Sequence, residues 1–100
     1  MMAMQTMTKK QACKEVGPIG KIIRYKWKDG WAFVALRCDD SKLLLEAMEV
    51  SPKGKGIGER ALKRLRREGF KPLFPIDIEE EAVGFWETMR DKRLVESTKE

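Results

Sequence analysis

The sequence predicts a single α+β domain with a mixed, mostly antiparallel sheet of five or six strands and two helices. An Asp29-Gly30 pair between two segments rich in aromatic and β-branched residues predicts a hairpin. Further along, an apolar strand runs through a glycine-rich loop into a basic helix. The chain has 100 residues, 42% of them hydrophobic, so it is long enough for one domain with a small core.

Three strands are expected in the first half of the domain. Residues 19–28 and 31–38 read as the two arms of the hairpin, because aromatic and β-branched residues recur in both. The polar segment 39–42 predicts a turn, and the apolar residues 43–50 predict the third and most buried strand. This order of strands is a β-meander.

The second half is expected to alternate helix and strand. Apolar residues at helical spacing predict a helix over residues 57–68. A strand over 72–77 contains two prolines, which suit an edge strand. Asp77 is then expected to cap a helix over 79–90. A short strand from Arg93 to Val95 is expected to close the sheet.

Residues 1–17 lack strong periodicity and are predicted to be a flexible N-terminal tail, with at most a short helix over 7–15. The domain is expected to span 18–100. Cys13 lies in this tail and Cys38 in the domain, so reduced thiols and a cytoplasmic location are expected. No apolar run approaches the ~20 residues that a membrane span needs, so no membrane contact is expected.

Composition excludes several kinds of chemistry. The chain has no histidine, which excludes histidine-based triads, histidine metal ligands and a histidine general base. No metal is expected. The net charge of +5 suits a polyanionic partner, such as the phosphates of a nucleotide cofactor or a nucleic acid.

The glycine-rich loop predicts an anion site. Glycines at 54, 56 and 58 let backbone N–H groups converge, and the first turn of the following helix adds unpaired N–H groups. Lys53 and Lys55 add positive charge. An ordinary loop whose glycines serve only tight turns remains an equal alternative.

Two well-known phosphate loops do not fit. A Walker A loop ends in Gly-Lys-Ser/Thr, whereas Gly56 is followed by Ile57 and Gly58. A dinucleotide fingerprint needs Gly-x-Gly-x-x-Gly, whereas this chain has Gly-x-Gly-x-Gly. Both fail on spacing.

A third loop fits better. Lys53-x-x-Gly56-x-Gly58 resembles the Arg/Gln-x-x-Gly-x-Gly/Ala signature of the GNAT-type N-acetyltransferase superfamily, with lysine in first place. The segment from Ala82 to Met89 is similar to the Ala-x-x-Phe-Tyr-x-x-Leu helix of that superfamily. Together the two motifs cover about residues 43–95.

The resemblance implies a minimal GNAT-like fold that binds acetyl-CoA (coenzyme A) as cosubstrate. In this superfamily the strand before the loop and the strand after the helix splay apart, and the pantetheine arm inserts between them. The loop N–H groups hold the pyrophosphate. The cofactor-binding residues so implied are Met48, Val50, Lys53, Gly54, Lys55, Gly56, Ile57, Gly58, Glu59, Phe85 and Trp86.

The resemblance also implies a glutamate as general base, on the strand before the loop. Glu46 is favoured over Glu49 because strand alternation would place it on the face of Met48 and Val50. Two solvent-facing charges without a catalytic role are about as well supported. Trp86 stands where the superfamily often has a tyrosine as general acid.

The expected function is therefore an acetyl-CoA-dependent N-acetyltransferase acting on an amine of a protein or a small molecule. The only tyrosine, Tyr25, lies in the first hairpin and is expected to pack rather than to act as the acid. An exposed Trp27 or Trp31 on an open sheet would favour a homodimer. The alternatives are a non-catalytic acyl-CoA-binding module and, less favoured, a basic nucleic-acid-binding protein.

Overall fold

Four strands form one mixed sheet in the order β1-β2-β3-β4. The computed structural model describes residues 9–96. β1, β2 and β3 are antiparallel neighbours, and β4 runs parallel to β3. The elements are α1 (Lys9–Val16), β1 (Lys21–Trp27), β2 (Gly30–Asp39), β3 (Lys42–Ser51), α2 (Ile57–Arg67), β4 (Leu73–Pro75), a 3-10 turn (Glu80–Ala82) and α3 (Val83–Asp91).

The α+β class is correct, but the expectation of five or six strands is wrong, since the described residues form four. The segment predicted as a last strand, Arg93 to Val95, ends α3 instead. Arg93 has a left-handed φ of 61°, and the Leu94 N–H donates to the Met89 carbonyl. The backbone therefore turns back onto the end of α3. An extended strand over these residues could not form the bond between Leu94 and Met89.

The hairpin prediction is confirmed, but its turn lies one residue earlier than predicted, at Lys28 and Asp29, because Gly30 already begins β2. β1 pairs with β2 along the whole length of β1, from Lys21↔Leu36 to Trp27↔Gly30. The meander continues through the predicted polar turn into β3. Tyr25 and Ala32 face each other across the first pair and both are buried, so this side of the sheet faces the core.

A β-bulge interrupts the pairing of β2 with β3. Ala35 pairs with Ala47, whereas the next residue, Leu36, pairs with Leu45, so Glu46 is the extra residue. The bulge shifts the alternation of side chains by one position. Leu45 before the bulge therefore lies on the same face of the sheet as Met48 after it.

Helices α1 and α2 pack on the core face of the sheet. The tail predicted over 1–17 therefore needs correction, because residues 9–16 form α1, close to the short helix expected over 7–15. Residues 1–8 lie outside the described residues. The buried cluster consists of Ala12, Cys13, Val16, Tyr25, Ala32, Val34, Leu36, Leu43, Leu45, Ile57, Ala61, Leu62, Leu65, Phe70, Leu73, Met89, Leu94 and Val95.

Cys13 and Cys38 form a disulfide that links α1 to β2. The expectation of two reduced thiols is wrong. It assumed that Cys13 belonged to an unattached tail, whereas the packing of α1 against β2 brings the two sulfur atoms together. Within residues 9–96, no helix has both the length and the apolar character to span a membrane.

The helices after the loop are partly as predicted. α2 ends one residue before the predicted boundary, and Gly69 follows with a left-handed φ of 100°. The helix predicted over 79–90 begins later, at Val83, after the 3-10 turn. Asp77 itself has a left-handed φ of 53°, and no side chain caps either helix start, so the predicted Asp77 cap is wrong.

Candidate functional site

The loop between β3 and α2 contains two glycines whose backbone conformation requires glycine. Gly54 has φ 76° and Gly56 has φ 77°, both in the left-handed region. A Cβ added at either position would meet no atom within 4 Å. These glycines are therefore not needed for packing within residues 9–96, and the space in front of the loop is open.

The first turn of α2 presents unpaired N–H groups to that space. Gly56 is the N-cap residue, and no side chain caps the helix. The first bond into the helix runs from the Arg60 N–H to the Gly56 carbonyl, at 3.1 Å. The N–H groups of Ile57, Gly58 and Glu59 precede it and have no acceptor within the helix. Together with the positive end of the helix dipole, they can bind an anion.

The third glycine of the loop has a different role. A Cβ on Gly58 would lie 3.0 Å from Phe85 Cζ and 3.2 Å from Met48 Cε. Gly58 thus lies where α2 meets Phe85 of α3 and Met48 of β3, and it is buried. Gly58 therefore serves packing. Gly54 and Gly56 instead allow the left-handed backbone of a loop that faces open space.

Charges around the loop have both signs. Lys53 and Lys55 are exposed. A hydrogen bond from Lys92, followed by one from Lys63, lowers the pKa of Glu59, and the two Nζ–carboxylate distances are 2.8 and 3.0 Å. Glu59 is therefore neutralised by two lysines, so its carboxylate does not prevent an anion from binding at the first turn of α2.

The β1–β2 hairpin contacts both ends of the loop, namely the end of β3 and the start of α2. A Cβ on Gly30 would collide with the carbonyl oxygen of Ser51, so β2 touches the residue where β3 ends. Arg60 donates two hydrogen bonds to Asp29, at 2.7 and 3.1 Å, and its guanidinium lies 5.3 Å from the ring centre of Trp27. These contacts fix the start of α2 relative to the sheet.

The pairing of β4 with β3 covers only the first part of β3. The two strands pair only from Leu43↔Leu73 to Leu45↔Pro75, and the Ile76 N–H still donates to the Leu45 carbonyl, at 3.1 Å. β3 continues over residues 46–51 with β2 on one side and, among residues 9–96, no strand on the other. Its free backbone edge runs from the bulge to the loop.

The predicted binding residues are brought together along this edge. Met48 and Val50 lie on the helix-covered face of β3 and pack partly against the core. Phe85 of α3 and Met48 both approach Gly58, and the ring of Trp86 is edge-on to that of Phe85 with ring centres 4.9 Å apart. The loop, the free edge and these side chains form one continuous region.

The two candidate bases lie elsewhere. Because of the bulge, Glu46 lies on the sheet face opposite the helices, so the prediction that it shares the face of Met48 and Val50 is wrong, whereas Glu49 points away from that face as predicted. Glu46 accepts a hydrogen bond from Arg37 Nε at 2.8 Å. Sequence reasoning missed Arg37, although counting strand register from the turn would have placed it near this glutamate.

Tyr25 packs as predicted and lies away from the loop. It is buried beneath α2, and its hydroxyl donates to Glu68 at 2.7 Å. Burial, followed by this hydrogen bond, raises the pKa of Tyr25 well above its ordinary value. This hydroxyl is therefore committed to a structural contact.

The basic face of α2 is largely occupied by contacts within the protein. Arg64 donates to Glu68 at 2.9 Å and lies 4.8 Å from the ring centre of Tyr25. Arg60 is held by Asp29, and Lys63 by Glu59. A helix that binds nucleic-acid phosphates needs cations free to contact them, so these pairs disfavour that function.

No match was found among protein-family models, curated proteins or solved structures. Residues 9–96 contain no group of three His, Cys, Asp or Glu side chains arranged to hold a metal ion. The features that indicate a function are therefore the loop, the free strand edge and the charges around them.

Proposed function

We propose that this chain binds coenzyme A thioesters and transfers the acetyl group to an amine. The observation that carries the proposal is the junction of a free strand edge with an uncapped helix start. A long ligand with an amide-containing arm and a diphosphate at its far end matches both parts. Coenzyme A has this construction.

The diphosphate would bind at the loop. Gly54 and Gly56 leave open space in front of the backbone, and the N–H groups at the start of α2 lack internal acceptors. Lys53 and Lys55 add charge that attracts phosphates from solution. Backbone donors carry most of this site, so loop conformation matters more than any one side chain.

The pantetheine arm would lie along residues 46–51 of β3. Its amide groups can replace the strand that is missing on that side, as an added β-strand would. Met48 and Phe85 would give the arm an apolar wall. The thioester would then lie near the bulge, where strand pairing changes and backbone polar groups are left unpaired.

The transfer itself needs a base and a proton for the leaving group. The amine nitrogen attacks the thioester carbon, the C–S bond breaks, and the thiolate takes up a proton. Glu46 is the better placed candidate base, since it is the bulge residue beside the point where β4 leaves β3. Its bond to Arg37 holds the carboxylate in one position.

A second candidate function is binding without turnover. The observation that favours it is the commitment of Tyr25, the only tyrosine of the chain, to Glu68. Trp86 has an indole N–H that donates a hydrogen bond but does not release a proton near neutral pH. The departing thiolate would then depend on water for its proton.

The disulfide bears on the location of this activity. Disulfides persist in oxidising compartments and are rare in a reducing cytosol. The Cys13–Cys38 bond therefore removes the basis on which the sequence predicted a cytoplasmic location.

Calorimetric titration with coenzyme A tests the binding step. We expect saturable binding that Gly56→Val weakens by at least tenfold, because a β-branched residue disfavours the left-handed backbone at the diphosphate site. Gly17→Val is the matched control: Gly17 has φ 75° and open space around it, but it follows α1. Equal effects of the two variants, or tighter binding of a duplex oligonucleotide than of coenzyme A, would contradict the proposal.

An assay of free thiol released from acetyl-CoA in the presence of an amine distinguishes acetyl transfer from binding without turnover. Both cysteines of the chain are in the disulfide, so the protein adds no thiol background. Turnover that Glu46→Gln abolishes without changing coenzyme A affinity supports the transferase. Binding without any thiol release supports the second candidate.

A further inference from the structure

The sheet face opposite the helices carries exposed apolar side chains. Trp31 is 43% exposed and Ile22 54%. Trp31 and Phe33 lie parallel on β2, with ring centres 5.8 Å apart and planes within 6°. Ala47 on β3 is also exposed. We call this side of β1, β2 and β3 the open face.

Strand register arranges the open face in rows that cross the three strands. Each row has one residue from β1, one from β2 and one from β3, and the rows follow directly from the two antiparallel pairings. The middle row has a cation on β1, an aromatic ring on β2 and an anion on β3. The rows are Lys26, Trp31 and Ser51; Arg24, Phe33 and Glu49; and Ile22, Ala35 and Ala47.

The two flanks of this face differ in charge. Arg24 and Lys26 are exposed on β1, and Glu49 is exposed on β3. The apolar residues of β2 run between them. A surface with a cationic flank, an apolar centre and an anionic flank is complementary to a second copy of itself, provided that the copy is turned over about the central strand.

We infer that a second copy of this chain covers the open face, with a two-fold axis running along β2 between the two sheets. This rotation keeps each residue at its own height along the strand and exchanges β1 with β3. Phe33 then meets Phe33 of the other copy, and Arg24 meets Glu49 on both sides. Ile22 meets Ala47 in the same way.

Two orientations of a two-fold axis would stack the two open faces, and charge pairing favours the axis along β2. A two-fold axis perpendicular to the strands would place β1 over β1, and so Arg24 over Arg24 and Glu49 over Glu49. Like charges brought together in this way are unfavourable. Stacked sheets lie about 10 Å apart, a distance that an arginine and a glutamate side chain can span together.

The dimer is expected to be weak and reversible. Three strands ~4.8 Å apart and five residues at ~3.4 Å per residue give a footprint of about 14 by 17 Å. Such a small patch lies at or below the low end of interface sizes, where weak and transient complexes are found, and we expect a micromolar dissociation constant at best. The inference does not rest on the proposed function, but pairing of Glu49 with Arg24 would leave Glu46 as the candidate base.

Sedimentation equilibrium on single charge reversals tests the arrangement. The wild type should shift with concentration from the 11.6 kDa chain mass toward twice that value. Arg24→Glu would set two glutamates against each other, and Glu49→Arg two arginines, so each variant alone should weaken dimerisation at least tenfold. An equimolar mixture of the two variants should form dimers again, because both contacts between unlike copies then pair a glutamate with an arginine.

The controls reverse exposed charges that lie outside the three rows of the open face. Lys28→Glu in the hairpin turn and Glu87→Arg on α3 change the net charge by the same amounts and should leave the dissociation constant within about twofold. Circular dichroism of each variant reports folding. Loss of dimer in both reversals with recovery in the mixture supports the inference.

Three results would overturn it. The first is a wild-type chain that stays monomeric at about 1 mM, far above a micromolar dissociation constant. The second is a mixture of the two reversed variants that stays monomeric. The third is a dimer that Arg24→Glu weakens and Glu49→Arg does not, which would indicate pairing through the exposed edge of β1.

Discussion

The two halves of β3 differ in what lies beside them. The amino-terminal half, from Leu43 to Leu45, has β2 on one side and β4 on the other, and both of these end residues are buried. The carboxyl-terminal half, from Met48 to Ser51, has β2 alone and leads into the open loop. One strand thus contributes core stability at one end and free hydrogen-bonding groups at the other.

The difference arises from two local features. Asp77 has a left-handed φ of 53°, which an extended strand does not adopt, so the parallel pairing stops after the Ile76 N–H has donated to the Leu45 carbonyl. The bulge at Glu46 then turns the rest of β3 away from its earlier alternation. A binding edge is thereby separated from the core within a single strand, and the two halves should respond differently to mutation.

The largest expected effect is on stability at the amino-terminal half. Leu45→Ala removes a fully buried side chain and should lower the free energy of unfolding by about 2–5 kcal/mol. Val50→Ala, on the half-buried carboxyl-terminal half, should cost less than about 1.5 kcal/mol. Urea unfolding followed by circular dichroism measures both. Equal losses would mean that the two halves do not differ in packing.

A smaller loss of stability is expected from overpacking at Gly58, where the carboxyl-terminal half of β3 meets α2 and α3. Gly58→Ala would press a Cβ against Phe85 and should cost about 1–3 kcal/mol. Phe85→Leu should recover part of that loss when the two changes are combined, because it removes the ring that the new Cβ meets. Gly54→Ala is the control, since its Cβ lies in open space and Phe85→Leu should not rescue it. Additive costs for Gly58→Ala and Phe85→Leu would contradict this contact.

An effect on ligand affinity is expected at one end of β3 only. Lys53→Ala should weaken coenzyme A binding by about fivefold, through loss of one phosphate-attracting charge, and the difference should shrink at high salt. Lys42 is the matched control because it begins β3, about 30 Å away at ~3.3 Å per residue. Calorimetry at two ionic strengths measures both variants. A similar loss for Lys42→Ala would indicate a general charge effect rather than a site.

The smallest expected effect is on the pH dependence of stability, through the ion pairs that Glu59 forms with Lys92 and Lys63. The hydrogen bonds from Lys92 and Lys63 lower the pKa of Glu59 in the folded state. This carboxylate therefore adds stability above its unfolded pKa of ~4.3, and that contribution is lost as the pH falls through the lowered folded value. Glu59→Gln should flatten the decline of the melting temperature over this acidic window and leave the curve near pH 7 parallel to that of the wild type. An unchanged acid slope would contradict the pairing.

Local signals in the sequence were enough for half of the fold. The Asp29-Gly30 pair predicted the hairpin, and the spacing from Ile57 to Leu65 predicted α2, because turn chemistry and helical periodicity act over a few residues. The loop was found in the same way, from its three glycines. The sequence could not predict that Gly58 is packed while Gly54 and Gly56 face open space, because this difference depends on the position of Phe85 in the fold.

The errors came from tertiary packing. α1 has no strong periodicity of its own and is held by contacts with the sheet and by the disulfide, so it was predicted as a tail. The bulge at Glu46 has no local signature, and this single extra residue put Glu46 on the face opposite to Met48 and Val50, whereas Glu49 lies on that opposite face as predicted. Arg93 turned left-handed and ended α3 where a closing strand was predicted.

Titration of the ¹⁵N-labelled protein with coenzyme A, followed by amide chemical shifts, tests the central claim most directly. We expect the amide signals of residues 54–59 to shift in a saturable manner with coenzyme A and with inorganic pyrophosphate. Pantetheine, which lacks the diphosphate, should shift only signals along residues 46–51. Amide signals of residues 54–59 that stay in place at about 1 mM coenzyme A, the upper end of typical substrate KM values, would contradict this binding site.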